Sequence, residues 1–350
     1  MKDYTGETIY LGIDVHKSTY SVTAISQNQI AKRDRLVADP ALLIEYCKRH
    51  FQGAEIYSAY EAGFCGFHLH RVMTKNGFRN IVVHPASIEI SARDRVKTDK
   101  RDSLKIATQL SVGRLKGIYV PSEEREGYRA ITRMRDQFIQ DRTRLGVRIK
   151  SLLHMHGLIK HDDNKRTSRR WVEGLLALEF QSDIDYCIHK MARQWLEIAD
   201  TVKDIENELK KQAIIDVAAE RIYLSAPGIG PTSARILANE LGDMSQFSNE
   251  KQLFSYTGLT PQEHSSGEHN RLGHITRQGK SSLRKILVQA AWVAIKQDPT
   301  MNEVFVRISK NAGGKKAIVG VARRLIGHIR ACFKRGELYS GKERTESSIA

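Results

Sequence analysis

Thr8-Ile9-Tyr10-Leu11-Gly12-Ile13-Asp14 is an apolar run rich in β-branched and aromatic residues that ends on an acid, the pattern of a buried strand. Two further β-rich runs follow it, Tyr20–Ile25 and the weaker Ile30–Val37, and only then does a helical pattern begin, at Pro40–His50. Beyond lie a strand over Glu55–Glu61, a helix over Gly66–Asn76 closed by Gly77, a strand over Asn80–Val83 ended by His84-Pro85, and a helix over Lys100–Leu115.

Three strands before the first helix give the order β-β-β-α-β-α-β-α, which is that of an α/β RNase H-like domain. A doubly wound nucleotide-binding fold would alternate from its first strand and carry a glycine-rich phosphate loop there, whereas Gly12-Ile13-Asp14 leads into another strand. In the RNase H-like order Asp14 ends the first strand and Glu61 the fourth. Asp99 and Asp102 stand three residues apart, on one face of the next helix. Each acid alone is more often an ordinary surface carboxylate, but placed together at one sheet edge the four would repel one another unless a hard divalent cation neutralised them. Mg²⁺ is the expected cofactor, with Mn²⁺ as a substitute, in a site suited to phosphodiester chemistry. Arg93, Arg95, Lys97, Lys100 and Arg101 surround the last pair and suit a nucleic-acid backbone.

The chain has 350 residues, with 56 Lys+Arg against 40 Asp+Glu and a formal net charge of +16. With a pI near 9.7 and a mean hydropathy of −0.43, this composition excludes wholesale disorder and favours a polyanionic partner. The longest apolar run, Ile286 to Ile295, is interrupted by Gln289 and followed by Lys296, well short of the ~20 residues of a membrane span. The start, Met1 to Glu7, has no apolar signal core, so a cytoplasmic protein with no membrane partner is expected. Cys47, Cys65, Cys187 and Cys332 form no Cys-x-x-Cys pair and read as reduced structural thiols.

After Pro121 the pattern becomes helical. Ile184, Ile188, Met191, Trp195, Ile198, Val202, Ile205 and Leu209 alternate in steps of four and three, the seam of a coiled coil whose partner helix could belong to the same chain or to another subunit. The polar stretch His161–Arg170 reads as an exposed linker. Ala226-Pro227-Gly228-Ile229-Gly230-Pro231-Thr232 reads as a helix-hairpin-helix, in which backbone amides near Gly228, Gly230 and Thr232 would grip a phosphate; a tight interhelical turn is the alternative. Between Met301 and Arg335 there are nine basic residues, among them Lys315, Lys316, Arg323 and Arg324, against the single acid Glu303, a tally that favours phosphate contact over a merely solvated face.

A polar segment from Gly258-Leu259-Thr260-Pro261 through His264-Ser265-Ser266-Gly267 to Arg271, Arg277 and Lys280 offers a serine among cations that could stabilise a phosphoryl intermediate. On composition alone Ser-Ser-Gly is more often a structural turn.

Taken together, Ile13-Asp14-Val15-His16-Lys17, Tyr60-Glu61-Ala62-Gly63, Lys97-Thr98-Asp99-Lys100-Arg101-Asp102, Pro227-Gly228-Ile229-Gly230 and Gly258-Leu259-Thr260-Pro261 resemble, in order along the chain, the DEDD transposases of insertion sequences, relatives of the Piv-type DNA invertases. The resemblance implies a RuvC-like metal domain over 1–120, a helical coiled-coil linker over 121–222, and over 223–340 a mainly α domain with the helix-hairpin-helix and a serine nucleophile. It makes Asp14, Glu61, Asp99 and Asp102 both catalytic and metal-binding, and selects Ser266, with the adjacent Ser265 as the alternative register. The residue readings above add nucleic-acid contacts by Lys97, Arg101, Gly228, Gly230, Thr232, Arg271, Arg277, Lys280, Lys315, Lys316, Arg323 and Arg324. The expected partners are donor and target DNA, a structured guide RNA encoded by the element, and further copies of the chain, as a dimer or, in the active complex, a tetramer, in a bacterial or archaeal cell. A metal-dependent RuvC-like nuclease or junction resolvase, and a non-catalytic nucleic-acid-binding scaffold, are the competing functions.

Overall fold

The computed structural model describes residues 3–89, 99–159, 166–180, 182–215, 217–263 and 272–341. The chain divides at Pro121 into two compact units.

The first unit carries β1 (Thr8–Val15), β2 (Thr19–Ser26), β3 (Gln29–Val37), α1 (Pro40–His50), β4 (Glu55–Glu61), α2 (His68–Lys75), β5 (Arg79–Val83) and α3 (Asp99–Ser111). The element order is the expected one, with strands running a residue or so past their apolar core, α2 shorter at both ends, and α3 stopping at Ser111 short of Leu115, ahead of Gly113 with its φ of +69°. The five strands form one sheet in the order β3-β2-β1-β4-β5. β1 pairs antiparallel with β2 and parallel with β4, and β4 pairs parallel with β5. One face buries Ile9, Leu11, Ile13, Val22, Tyr60 and Val82 against Leu43 and Cys47 of α1 and Leu69 and Met73 of α2. Asp39 caps α1 by accepting from the Ala41 amide at 2.7 Å, ahead of Pro40. Burial pushes the Cys47 thiol up to about 12, and all four cysteines are free, so Cys47 serves as an apolar filler.

The opposite face carries α3, and Gly12 makes room for it. A Cβ at that position would lie 2.1 Å from the Ser103 carbonyl oxygen and 2.4 Å from the Ala107 amide nitrogen, so helix and strand backbones meet where a side chain is missing. The junction is closed by a hydrogen bond of 2.9 Å between the buried Thr23 and Ser103 hydroxyls, and β1 places Thr23 directly across from Gly12.

The second unit begins with α4 (Glu123–Met155), capped by Ser122 and acidic in its first turn, and continues with α5 (Arg169–Leu176), α6 (Ser182–Ile215), α7 (Val217–Ser225), α8 (Pro231–Leu241) and α9 (Glu250–Thr257). A two-stranded ribbon, β6 (Pro261–Glu263) and β7 (Leu272–Ile275), leads to α10 (Ser281–Gln297), α11 (Pro299–Ala312) and α12 (Gly314–Arg335). The seam anticipated between Ile184 and Leu209 lies on α6 and is covered from within the chain. Leu145, Ile149 and Leu153 of α4, with Val172 and Leu175 of α5, pack on Ile188, Ala192 and Trp195. Arg135 of α4 reaches Glu206 nearer the other end of α6, at 2.9 Å, so the two long helices run antiparallel. The stretch read as a linker differs in part, since Arg169 and Arg170 form the first turn of α5 behind a Ser168 cap. Among the described residues no helix is long and apolar enough to cross a membrane.

α8 is the centre of this unit: every residue from Ala234 to Leu241 is buried, within a core that also takes Leu253, Leu283, Leu287, Ala290, Val321 and Leu325. Three polar side chains are buried with it. Arg235 bonds to Glu220 and to the Gln212 carbonyl, Asn239 donates to Thr132 and Gln212, and Glu240 receives arginines from α4. Because α4 and α6 supply these partners, the helical stretch 122–222 and the later elements pack as one body.

Candidate active site: a carboxylate edge and a serine ribbon

In the first unit the register Gly12–Ala59, Ile13–Tyr60 carries Asp14 alongside Glu61 at the ends of two adjacent parallel strands. Paired residues of parallel neighbours share a face, and for this pair it is the face of Gly12, the one α3 crosses. Asp14 is partly exposed, with the His16 Nε2 atom 3.1 Å from its carboxylate, while Glu61 is exposed. Asp102 stands next to Ser103, the residue held against Gly12, and pairs with Lys105 at 3.4 Å. Asp99 opens α3, but its side chain lies outside the described residues, as do Lys97, Arg93 and Arg95. Arg101 is exposed on the first turn of α3. Among the described residues no three His, Cys, Asp or Glu side chains converge closely enough to hold a metal ion. The donors in question are all carboxylate oxygens, which fits a hard divalent cation rather than a soft one.

Ser265, Ser266, His264, His269 and Arg271 also lie outside the described residues, in the connection between β6 and β7. The base of that ribbon is well defined. α9 ends at Gly258, with φ of +70°, and β7 exits through Arg277 and Gly279, with φ of +57° and +81°, values that glycine adopts freely and arginine seldom. A Cβ on Gly279 would sit 2.4 Å from the Ser255 carbonyl oxygen, and one on Gly258 2.5 Å from that of Gln278, so the entering and leaving strands pass back to back. The Thr276 amide donates to Thr260 and the Lys280 amide to the Tyr256 carbonyl, each at 2.9 Å.

Beneath this base lies Glu240, 2% exposed. Arg133 donates to both its oxygens at 2.9 and 3.2 Å, Arg129 approaches to 3.8 Å, and the Tyr256 hydroxyl donates to it at 3.2 Å. Burial pushes the Tyr256 phenol up to about 12, so it stays a neutral donor at any physiological pH. Lys280, expected on a phosphate, is half-buried here; burial pulls its ammonium below the ordinary range and the Glu240 charge opposes that.

The other expected nucleic-acid contacts divide in the same way. Gly228 has φ of +76° and Gly230 caps α8; both are exposed, with Thr232 half-buried beside them. Gly228 is also a packing position, since a Cβ there would lie 2.7 Å from the Ala290 carbonyl oxygen of α10. Lys315, Lys316, Arg324 and Arg277 are exposed. Arg323 instead lies over the Phe254 ring, 4.7 Å from its centroid, a cation–π contact that uses much of its face. Arg330, counted in the basic tally, is buried and donates to the Phe247 carbonyl at 2.7 Å. Sequence reasoning misses Gly12, Glu240 and Tyr256 as organising residues: a glycine within a strand and an acid within a helix carry no distinguishing pattern until their neighbours are known.

Comparison with known proteins places the chain in a family. Residues 11–157 match a family model of DEDD transposases of the IS110 type, and residues 220–305 match one described as the transposase IS116/IS110/IS902 family. A Sinorhizobium fredii protein named as a transposase, y4qE, is 31% identical over 239 residues, covering 68% of this chain and 58% of that protein. The transposase for insertion sequence element IS1111A of Coxiella burnetii is 25% identical over 346 residues, 94% of this chain and 90% of the relative. The transposase for insertion sequence element IS1533 of Leptospira borgpetersenii is 25% identical over 308 residues, with coverages of 81% and 84%. Because both family models fall on one chain in order, the first from the carboxylate unit through α4 and the second over residues 220–305 of the helical unit, the chain belongs to the IS110/IS116 family of DEDD transposases.

Proposed function

We propose that the chain is an insertion-sequence transposase that cuts and rejoins DNA strands through a covalent phosphoserine, with an RNase H-like carboxylate centre assisting. The observation that carries this reading is the pairing of Asp14 with Glu61 at the ends of adjacent parallel strands, on the face where Gly12 admits the helix bearing Asp99 and Asp102. The strand order β3-β2-β1-β4-β5 supports the RNase H-like assignment.

The four acids would hold Mg²⁺ or Mn²⁺, which when bound supplies electrophilic activation of the scissile phosphate and charge stabilisation of the leaving oxygen. The Ser266 hydroxyl attacks the phosphorus; its Oγ–P bond forms as the bond to the leaving strand oxygen breaks, and the hydroxyl proton passes to a base, for which His264, His269 and His274 are candidates. One phosphodiester replaces another, so the reverse exchange rejoins a strand without further energy input. The exposure of Arg277, Lys315, Lys316 and Arg324 supports a role for them in contacting backbone phosphates, a role the sequence reading also gives Arg271 and Lys97. A structured RNA from the element as the guide, and a dimer or tetramer as the active assembly, complete the proposal; both rest on the family resemblance.

The test is strand cleavage by Asp14→Asn and Glu61→Gln variants with and without EDTA. Both are expected to reduce cleavage to background while nucleic-acid affinity, which comes from Lys and Arg elsewhere, stays within about threefold of the parent. Undiminished cleavage in EDTA would contradict the metal-assisted reading, and binding without cleavage by the parent would favour a scaffold.

A further inference from the structure

Glu240 belongs to no part of the chemistry above, yet it is a buried acid reached by two arginines and a tyrosine directly under the ribbon that carries Ser266. Each end of that ribbon returns to the same residue. On the entering side Tyr256 sits in the last turn of α9, and Gly258 and Leu259 lead on at once to β6. On the leaving side the Lys280 amide donates to the Tyr256 carbonyl at 2.9 Å, and Gly279 packs so closely that a Cβ would lie 2.7 Å from that same oxygen. The Tyr256 backbone thus ties the exit of the ribbon to its entry, and the Tyr256 side chain ties both to Glu240 through a 3.2 Å hydrogen bond. Glu240 is itself fixed: it lies on the buried part of α8, Ala234 to Leu241, and is gripped from α4 by Arg133 at 2.9 and 3.2 Å. Other charged groups near it, among the described residues, are Arg129 at 3.8 Å, the half-buried Lys280 and the Asp136 carboxyl. The Tyr256 ring is steadied on its other side by Phe247, with centroids 5.4 Å apart.

We propose that the Tyr256–Glu240 hydrogen bond is a positioning device that holds the base of the β6–β7 ribbon in register with the α4–α8 frame, and that the rate of the covalent step depends on that base. A nucleophile held within a few tenths of an ångström of its attack geometry reacts far faster than one that samples a wider range. The device touches no reacting atom. It therefore acts on the rate of the covalent step and leaves DNA affinity alone. This inference rests on the phosphoserine reading above.

Tyr256→Phe keeps the ring and its contact with Phe247 and removes one hydroxyl. The experiment measures three things on the full chain: the maximal rate and half-saturating DNA concentration for adduct formation, the melting temperature, and amide hydrogen exchange of peptides covering 258–263 and 272–280. The expected result is a roughly tenfold slower maximal rate at unchanged half-saturation, with faster exchange in those two peptides, unchanged exchange in α12, and a melting temperature within about 2 °C of the parent. An adduct rate equal to the parent's, or a loss accompanied by lower melting and faster exchange throughout α8 to α12, would overturn it. If the parent cuts DNA but forms no adduct, the phosphoserine reading fails, and the exchange pattern of Tyr256→Phe still decides whether the bond holds the ribbon.

Discussion

The two units solve the same problem, bringing a helix against a functional element, by opposite means. In the first, α3 meets β1 through an absence: Gly12 gives up its side chain, and neutral hydroxyls of Thr23 and Ser103 close the gap at 2.9 Å. In the second, α8 meets α4 and α7 through buried charge: Glu240 with Arg129 and Arg133, and Arg235 with Glu220. The first junction is sensitive to added volume and indifferent to ionisation. The second tolerates little change in charge, because Glu240, Arg235 and Glu220 are desolvated, while Arg133 reaches in from the surface.

The largest expected effect follows from the second junction. Glu240→Ala removes the buried acid that Arg133, Arg129 and Tyr256 face, and about 3–5 kcal/mol of stability should be lost, read as a lower urea midpoint for exchange in the peptides of the second unit. The first unit is expected to keep its protection, and a uniform loss across both would deny their separate construction. Somewhat smaller is Gly12→Ala. Its Cβ would overlap the Ser103 carbonyl at 2.1 Å, against backbone that has nowhere to move, and about 1–3 kcal/mol should be lost, now from the first unit alone. A fully stable Gly12→Ala protein would show that α3 does not lie where the junction requires.

The smallest effect sharpens the same contrast through pH. Burial raises the Asp136 carboxyl above its ordinary value of 3.8, opposed by Ser282 and neighbouring cations. A carboxyl raised in the folded state binds its proton more tightly there than in the unfolded chain. Stability is therefore lost as pH rises from the unfolded value through the folded one, and the loss stays constant above it. Asp136→Asn should accordingly melt slightly higher than the parent at pH 7, with the advantage shrinking to nothing below pH 4; a gain at pH 4 as large as at pH 7 would assign the change to packing.

These contrasts also show which features the sequence makes legible. The strands of the first unit are readable because alternation and β-branching report burial locally, and α1 and β4 come out with the expected ends, Pro40–His50 and Glu55–Glu61. Asp14 and Glu61 are identifiable as strand-end acids for the same reason. What fails is anything decided by distant partners. Arg235 and Glu240 look like ordinary polar positions on a helix, since Arg133 lies 107 residues from Glu240 in sequence. Arg330 enters a basic tally although its guanidinium is spent on the Phe247 carbonyl. The α6 seam announces that it has a partner but leaves open which helix that is, because a heptad records only its own face. Lys280 reads as a phosphate ligand from its place among Arg271 and Arg277, and only the fold shows it half-buried near Glu240.

The central claim is that a serine in the ribbon becomes covalently joined to DNA with help from the carboxylate edge. The most direct measurement traps the reaction on a nicked suicide substrate in Mg²⁺, digests the protein, and locates the modified peptide by mass spectrometry in the parent, Ser266→Ala, Ser265→Ala and Asp14→Asn proteins. The account predicts a nucleotide adduct on Ser266 in the parent and in Ser265→Ala, and none in Ser266→Ala or Asp14→Asn. Strand cleavage by the parent with no adduct on any serine, undiminished in both serine variants, would contradict it and identify water as the nucleophile.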